Sequence, residues 1–388
     1  MLLDCCNAEG TAPGVLCGAA QLERGDMMRI CVLGAGSIGG HLAVLFEKAG
    51  HEVTVVARGA NLEAIRRNGL KLINEDGTEQ VARNLHATDD PRRAGKQDLV
   101  ILAVKAHQVE PIAADLEALF HDDSVLIPMQ NGIPWWYFQR HGGTYEGTVV
   151  RTVDPDGTIM RTIDPQRIVG CVVYPAATLV APGVVRHIEG NRYPLGELDG
   201  STTERVTRLT EAFVGAGLKS PVLENIRSEI WLKLWGNLTF NPISALTHST
   251  LVDICQFPLS RALAEVMMIE AQAVANKLGI HFRVPVEKRI AGAEKVGKHK
   301  TSMLQDVEAG REPEIDALVG SVIELARLTH TETPYIDAIY ALVKLLGRTI
   351  TEEKSCVRAI RSEPAAAATA AHPEPHAAPP VVPAMAVA

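Results

Sequence analysis

A glycine-rich turn between a short apolar strand and a helix is the feature that most constrains the fold. The run RICVLGAGSIGGHLAVLFEKAG sets Gly34, Gly36 and Gly39 in G-x-G-x-x-G spacing, and a second β-rich run, EVTVVARG, follows it. The first glycine permits a tight turn, the second lets a pyrophosphate approach the helix N-terminus, and the third allows helix to pack on strand. This context predicts a dinucleotide site. The residues expected to form it are Gly34, Ala35, Gly36, Ser37, Ile38 and Gly39.

Two regimes of sequence pattern follow one another along the chain. From residue 28 to about 220, β-rich runs such as DLVILAVK and SVLIPMQNG alternate with helical patterns, which predicts a parallel sheet built from βαβ units. From 224 to about 355 the pattern is helical throughout. We therefore expect an α/β chain, with a Rossmann-type dinucleotide-binding domain over 28–223 and an all-α domain over 224–355. The amphipathic stretches of the second domain are 225–249, 259–279, 314–330 and 335–348.

Three other segments lack these patterns. Residues 1–27 are aperiodic and residues 356–388 are rich in Ala and Pro, so we expect a disordered extension and a disordered tail. The near-repeat of RTVDP and RTIDP over 151–165 surrounds an Asp-Gly pair, and we expect an exposed β-hairpin there.

Composition and charge exclude several classes of partner. A net charge of −8 argues against a nucleic-acid or anionic-membrane surface, and no apolar run reaches transmembrane length. The seven cysteines are irregularly spaced without a C-x-x-C pair, which fits a reducing compartment and indicates neither a disulfide framework nor a metal site. Because the first 27 residues lack the features of a secretory signal, we expect a cytoplasmic protein.

The end of the second β-rich run indicates which dinucleotide binds. An NAD site usually offers Asp or Glu there to the ribose 2′-hydroxyl, whereas this chain reads VVARG. Arg58 stands about where the acid would be, and its guanidinium can pair with a 2′-phosphate. We therefore expect NADP(H) as the cofactor.

The run KLWGNLTFNP carries three polar residues along one side of an apolar helical pattern. Lys233, Asn237 and Asn241 recur every four residues, so they share a helix face. Pro242 follows, and we expect it to interrupt the helix ladder beside a ligand. A lysine whose pKa is lowered by burial can donate a proton to a developing alkoxide, and amides can bind substrate without adding charge. Lys105, Gln108 and Asn131 follow predicted strands and should lie at the ligand edge of the sheet.

Taken in order, six motifs resemble the ketopantoate reductase (2-dehydropantoate 2-reductase) family over residues 28–350. These motifs are GAGSIGG, VVARG, VKAHQ, PMQNG, KLWGNLTFNPISALT and SMLQDVEAGREPEID. The resemblance implies transfer of a hydride from NADPH to the keto carbon of a small 2-oxo acid, with 2-dehydropantoate as the expected substrate and pantothenate biosynthesis as the pathway.

The resemblance also implies roles for individual residues. Lys233 corresponds to the family's general acid, Asn237 and Asn241 to its substrate-binding amides, and Ser302 to the residue near the substrate carboxylate. Asn131 corresponds to a residue beside both substrate and nicotinamide.

On the cofactor side, the resemblance implies that Lys105 lines the nicotinamide, that Glu314 contacts the cofactor and that Ala177 offers it a backbone contact. Gln108 belongs to the same VKAHQ motif and is expected to join them.

Other functions fit the same motifs. A reductase of a different 2-oxo acid and an opine-type dehydrogenase share the two-domain plan, and a non-catalytic NADP(H) sensor would need only the glycine turn. Lys233 argues against the sensor, since sensing requires no proton donor. The expected partner is a small 2-oxo acid, and the chain is also expected to be able to form a homodimer.

Overall fold

The computed structural model describes residues 27–359. The predicted extension, apart from residue 27, and the predicted tail, apart from residues 356–359, lie outside the described residues. Among the described cysteines, Cys31, Cys171, Cys255 and Cys356 are free. Within the same residues no helix combines the length and apolar character that crossing a membrane requires.

Three sheets are built from strands that lie between residues 29 and 197. The strands are β1 Arg29–Leu33, β2 Glu52–Val56, β3 Leu70–Ile73, β4 Glu79–Ala82, β5 Leu85–Thr88, β6 Gln97–Leu102, β7 Phe120–Pro128, β8 Val169–Cys171, β9 Ala176–Ala181, β10 Val184–Glu189 and β11 Leu195–Glu197.

The first sheet is the predicted parallel one. Its order is β5-β2-β1-β6-β7, so the chain reverses its winding beside β1, and the crevice at such a switch point is where dinucleotides bind. Four of the five residues of β1 are buried, as expected for a strand covered on both faces. The glycine turn follows β1 directly and therefore emerges at the carboxyl edge of this sheet.

Two smaller sheets complete the N-terminal part, and the sequence pattern did not predict either of them. One is mixed, with the order β4-β3-β10-β9, and its β9–β10 hairpin lies against the first helix. The other pairs β8 with β11 in antiparallel fashion, and Leu126 of β7 bridges to Ile168 just before β8. This arrangement places the residues that follow β8 next to the helical part.

Helices of the N-terminal part flank the sheets, and those from Ile226 onward form the C-terminal part. The helices are α1 Ser37–Lys48, α2 Gly59–Asn68, α3 Glu110–Ala113, α4 Thr158–Thr162, α5 Glu204–Gly215, α6 Ile226–Thr247, α7 Leu251–Gln256, α8 Pro258–Lys277, α9 Val286–Lys295, α10 Ser302–Glu308, α11 Ser321–Leu328 and α12 Pro334–Glu352.

The helical part confirms the predicted fold class, with differences in detail. Three short helices, α7, α9 and α10, were not predicted. The stretch expected at 314–330 is a π-helical segment, Asp316–Gly320, that leads into α11. Pro242 does not end α6, which continues to Thr247. The division of the chain into domains at 223/224 stays a prediction.

The prediction of a β-hairpin at 151–165 is wrong, because a buried carboxylate organises this segment instead. Asp154 is fully buried, and its two oxygens accept hydrogen bonds from the backbone N–H groups of Ile159 and Met160, at 3.0 and 2.9 Å. Those bonds satisfy the start of α4, and Gly157 supplies the left-handed turn before it, at φ +69°. The segment therefore forms a helix N-terminus capped by Asp154, and not the paired strands of a hairpin.

The near-repeat provides a matched stability test. Asp154→Ala should lower the free energy of unfolding by about 3 kcal/mol, because two backbone N–H groups at the start of α4 lose a buried carboxylate acceptor. The equivalent residue of the second copy, Asp164, is exposed and caps only the turn Pro165–Arg167. Asp164→Ala should therefore cost about 1 kcal/mol. Urea unfolding of both variants measures the difference, and equal losses would contradict the buried role of Asp154.

Candidate active site

The glycine turn approaches its neighbours so closely that side chains would not fit at two positions. Gly34 has φ +99°, and a Cβ there would lie 3.0 Å from the side chain and the backbone nitrogen of Val104. A Cβ on Gly39 would lie 2.0 Å from the carbonyl oxygen of Gly34. At Gly36, by contrast, a Cβ would meet nothing within 4 Å. Two of the glycines therefore serve packing, and Gly36 leaves open space where a pyrophosphate can approach.

The N-terminus of α1 retains free donors beside that open space. Gly36 is the N-cap residue and supplies no side-chain cap, so the first N–H groups, including those of Ser37 and Ile38, are available to an anion. The Ser37 hydroxyl faces the hairpin and accepts a hydrogen bond from the backbone N–H of Leu179, at 3.2 Å. Ala177 lies two residues earlier on the same strand, β9. The predicted contact of Ala177 with a cofactor stays a prediction.

Asn61 fixes this turn, and the sequence analysis missed it. Its amide nitrogen donates to the carbonyl of Ala35 at 2.7 Å, while its amide oxygen accepts from the N–H of Gly183 at 2.7 Å. One side chain thus ties the glycine turn, α2 and the β9–β10 hairpin together. The only sequence signal that could have indicated this role is the position of Asn61, three residues after Arg58.

Arg58 lies at the carboxyl end of β2, next to the turn. The N–H of Gly34 donates to the carbonyl of Val56, two residues before Arg58, at 3.0 Å. The Arg58 side chain is exposed, and within residues 27–359 it has no hydrogen bond or ion pair. Its guanidinium is therefore uncommitted at the position where the ribose of a dinucleotide is expected.

The turn after β6 brings three predicted residues together. The Gln108 side chain accepts from the backbone N–H of Lys105 at 3.2 Å, and the N–H of Ala106 donates to the Glu314 carboxylate at 3.1 Å. Lys105 Nζ pairs with Asp306 at 3.0 Å. Asp306 was not predicted, although it lies in the SMLQDVEAGREPEID motif. These contacts hold the sheet edge against α10 and the segment after it.

Asn131 sits on a loop that is clamped to the helical part. The next residue, Gly132, has φ +88°, and a Cβ there would lie 1.9 Å from the carbonyl oxygen of Ala317. That carbonyl accepts a hydrogen bond from the N–H of Ile133 at 3.0 Å. It belongs to the π-helical segment, a type of distortion often found at functional sites. Gly132 and Ala317 were not predicted, and their contact fixes the position of the loop that carries Asn131.

Lys233 reaches from α6 to the sheet edge. Its Nζ donates to the Asn131 amide oxygen at 2.6 Å and to the backbone carbonyl of Val173, which follows β8. Burial lowers the pKa of Lys233 to about 8, and the nearby Cys171 and Glu314 oppose that shift. Neither hydrogen-bond partner carries a charge, so the ammonium is oriented without an ion pair that would restore its ordinary pKa.

A narrow cleft surrounds this lysine. Its lining residues are Gln130, Asn131, Gly132, Cys171, Val172, Val173, Ile230, Lys233, Leu234 and Asn237. Asn237 thus joins Lys233 and Asn131, as the one-turn spacing predicted. Asn241 is buried on the next turn of α6, and Ser302 is the exposed first residue of α10, which packs on α6. Neither Asn241 nor Ser302 lines the cleft. The arrangement can position a carbonyl compound and supply it with a proton.

Comparison with known families covers most of the chain. Residues 30–200 match the sequence profile of the family described as ketopantoate reductase PanE/ApbA. Residues 225–347 match the profile described as the C-terminal part of the same family. The stretch 201–224, which contains α5, lies between the two matched regions.

Curated relatives match along almost their whole length. A 2-dehydropantoate 2-reductase of Mesorhizobium japonicum is 53% identical over 321 residues, which cover 82% of this chain and 98% of the relative. A 2-dehydropantoate 2-reductase of Pyrococcus horikoshii is 30% identical over 318 residues, which cover 82% and 97%.

Solved structures share the architecture. A Ralstonia solanacearum protein assigned to the ketopantoate reductases is 39% identical, with a TM-score of 0.80 over 84% of this chain and 99% of its own. D-mandelate dehydrogenase in complex with NADH and anilino(oxo)acetate shares the fold at 22% identity, with a TM-score of 0.72 over 84% and 99%. The chain belongs to the ketopantoate reductase family, whose members are NAD(P)-dependent oxidoreductases acting on CH–OH groups.

Proposed function

We propose that this protein reduces 2-dehydropantoate to pantoate with NADPH, a step of pantothenate biosynthesis, and that Lys233 donates the proton. One observation carries the proposal: the Lys233 ammonium is buried beside the sheet edge and held by the neutral acceptors Asn131 and Val173. The 53% identity to a 2-dehydropantoate 2-reductase supports the choice of substrate.

The residues of the glycine turn fit a dinucleotide. Gly36 leaves open space, the first turn of α1 has free N–H donors, and Arg58 offers an unpaired guanidinium at the end of β2. When bound, the dinucleotide supplies the hydride. Lys105, Gln108 and Glu314 lie together where the sheet edge meets the segment after α10, and we expect the dinucleotide to contact them there.

The position of Lys233 makes it the source of the proton in this reaction. Hydride addition to the keto carbon moves the carbonyl electron pair onto oxygen, and the Nζ–H of Lys233 protonates that oxygen to give the hydroxyl. Asn131 and Val173 hold the ammonium in place, and Asn237 offers amide groups to the substrate from the same cleft. The lysine leaves the step neutral and takes up a proton from water. A pKa near 8 suits this cycle at neutral pH.

The choice of dinucleotide depends on Arg58 rather than on the fold. D-mandelate dehydrogenase shares the fold and was solved in complex with NADH, so the architecture itself does not exclude NADH. Arg58 adds a cation where an NAD site usually has an acid, which favours the additional phosphate of NADPH. The four free thiols among the described residues support the expected cytoplasmic location. The homodimer stays a prediction.

The first test concerns the cofactor. Arg58→Ala should weaken the preference for NADPH over NADH by about 1.5–3 kcal/mol, since it removes charged hydrogen bonds to one phosphate. The ratio of kcat/KM for the two dinucleotides measures this change. Arg67→Ala is the control, because Arg67 is exposed on the far turn of α2. A wild-type protein that uses NADH as well as NADPH would contradict the role of Arg58.

The second test concerns the proton donor. Lys233→Ala should lower kcat for 2-dehydropantoate reduction by about 10²–10⁴, the usual range for a general acid. Lys233→Arg should not restore the rate, because guanidinium stays charged but does not release a proton near neutrality. NADPH affinity, followed by fluorescence titration, should remain close to that of the wild type.

The dependence of the reduction rate on pH tests the same role of Lys233. Only the protonated lysine can donate, so the rate of ketone reduction should fall as pH rises through about 8. The alanine variant should lack this alkaline limb. If it keeps both the limb and most of its turnover, Lys233 is only a structural cation.

A further inference from the structure

The helix that carries Lys233 also carries a glutamate one turn earlier. Glu229 and Lys233 are four residues apart on α6, in the order and at the spacing at which a glutamate and a lysine usually form an ion pair on a helix. The two side chains do not pair here, and Lys233 has no ion pair within residues 27–359. Other groups must therefore hold the Glu229 carboxylate.

Two residues outside α6 hold this carboxylate. The Tyr174 hydroxyl donates to Oε1 of Glu229 at 2.8 Å, and the Arg192 guanidinium pairs with the same oxygen. The guanidinium also lies over the Tyr174 ring, with Cζ 5.0 Å from the ring centroid. The Glu229 side chain is 15% exposed and that of Arg192 is 39% exposed, so the carboxylate is the more buried member of the pair. A carboxylate with so little access to water depends on its protein partners.

The peptide group that joins Val173 to Tyr174 is contacted from two successive turns of α6. Its carbonyl accepts from the Lys233 ammonium, and its N–H donates to the backbone carbonyl of Arg192 at 3.2 Å. The Tyr174 side chain beside this peptide is the one that reaches Glu229. The glutamate and the lysine therefore bind neighbouring groups, and a carboxylate released from its partners has the ammonium as the nearest cation on its own helix.

Other titratable groups lie on elements that pack around Lys233 and Glu229: Cys171 of β8, Tyr174 after it, Glu314 before the π-helical segment and Arg289 of α9. Burial raises the pKa of the Cys171 thiol and of the Tyr174 phenol, so both stay neutral. Glu314 already accepts a backbone N–H at 3.1 Å, and Arg289 is itself a cation. None of these groups therefore supplies Lys233 with an ion pair.

We propose that Arg192 and Tyr174 hold the Glu229 carboxylate away from Lys233 and so keep the proton donor free of an ion pair. Arg192 is thus a positioning residue that acts through Glu229. An ion pair would favour the charged form of the lysine, raise its pKa and make it a poorer acid at neutral pH. The expected effect on the rate rests on the proposed function, because it takes Lys233 as the proton donor, whereas the effect on the pKa does not.

The test follows the titration of Lys233 after Arg192 is replaced. In Arg192→Gln, the NMR midpoint of Lys233 labelled with ¹³C at Cε should rise from about 8 by about 1–3 pH units, because the released carboxylate pairs with the ammonium. The alkaline limb of 2-dehydropantoate reduction should move to higher pH with it, and kcat at neutral pH should fall about tenfold. NADPH affinity, measured by fluorescence titration, should remain close to that of the wild type.

Further variants separate the ion pair from general damage. Arg192→Gln combined with Glu229→Gln removes the carboxylate, while an amide oxygen still accepts from Tyr174, so the Lys233 midpoint and kcat should return close to the wild-type values. Arg192→Lys keeps a cation beside Glu229 and should also stay close to wild type. Arg208→Gln removes an exposed cation from α5 and should change neither quantity. Thermal midpoints show whether each variant is folded.

The outcomes are distinct. If Arg192→Gln lowers kcat or the thermal midpoint while Lys233 still titrates near pH 8, the arginine is only structural and the inference is overturned. A raised Lys233 midpoint that persists in the double variant also overturns it, because Glu229 is then not the cause. If Lys233→Ala keeps its turnover, the proposed role of Lys233 is wrong, whereas the NMR midpoints still report on the ion pair.

Discussion

The hydrogen bonds from the Lys233 ammonium to Asn131 and to the Val173 carbonyl unite parts of the chain that are far apart in sequence. Lys233 comes from α6, Asn131 from the loop after β7 and Val173 from the residues after β8. Burying an ammonium is costly unless its protons find acceptors. Neutral acceptors meet that need without the ion pair that would raise the pKa, so the lysine is both ordered and able to release a proton.

The position of those acceptors depends on close backbone approaches that only glycine allows. Gly132 rests on the carbonyl of Ala317, which clamps the Asn131 loop to the π-helical segment. On the cofactor side, Gly39 packs on the carbonyl of Gly34, which brings α1 close beneath the open space at Gly36. Both halves of the proposed site therefore depend on the same feature, a glycine that allows a close contact with a backbone carbonyl.

Local pattern in the sequence was sufficient to predict the glycine turn, the parallel sheet and α6. The polar face of α6 follows from helical spacing, and Asn131 follows from its place after a strand. Asp154 was misjudged because its importance arises from burial, and Asn61 was missed because its importance arises from contacts with residues distant in the chain. The Asp-Gly pair at 156–157 resembled a hairpin turn until the buried carboxylate of Asp154 was seen to cap α4.

The pKa of Lys233 in the folded protein tests the central claim most directly. Lysine labelled with ¹³C at Cε can be titrated by NMR, and the Lys233→Arg variant assigns the resonance. The account predicts a titration near pH 8, caused by burial among neutral acceptors. A midpoint near 10.4, the ordinary value for lysine, would contradict it, because the ammonium would then be exposed to water and no better prepared to donate a proton than any surface lysine.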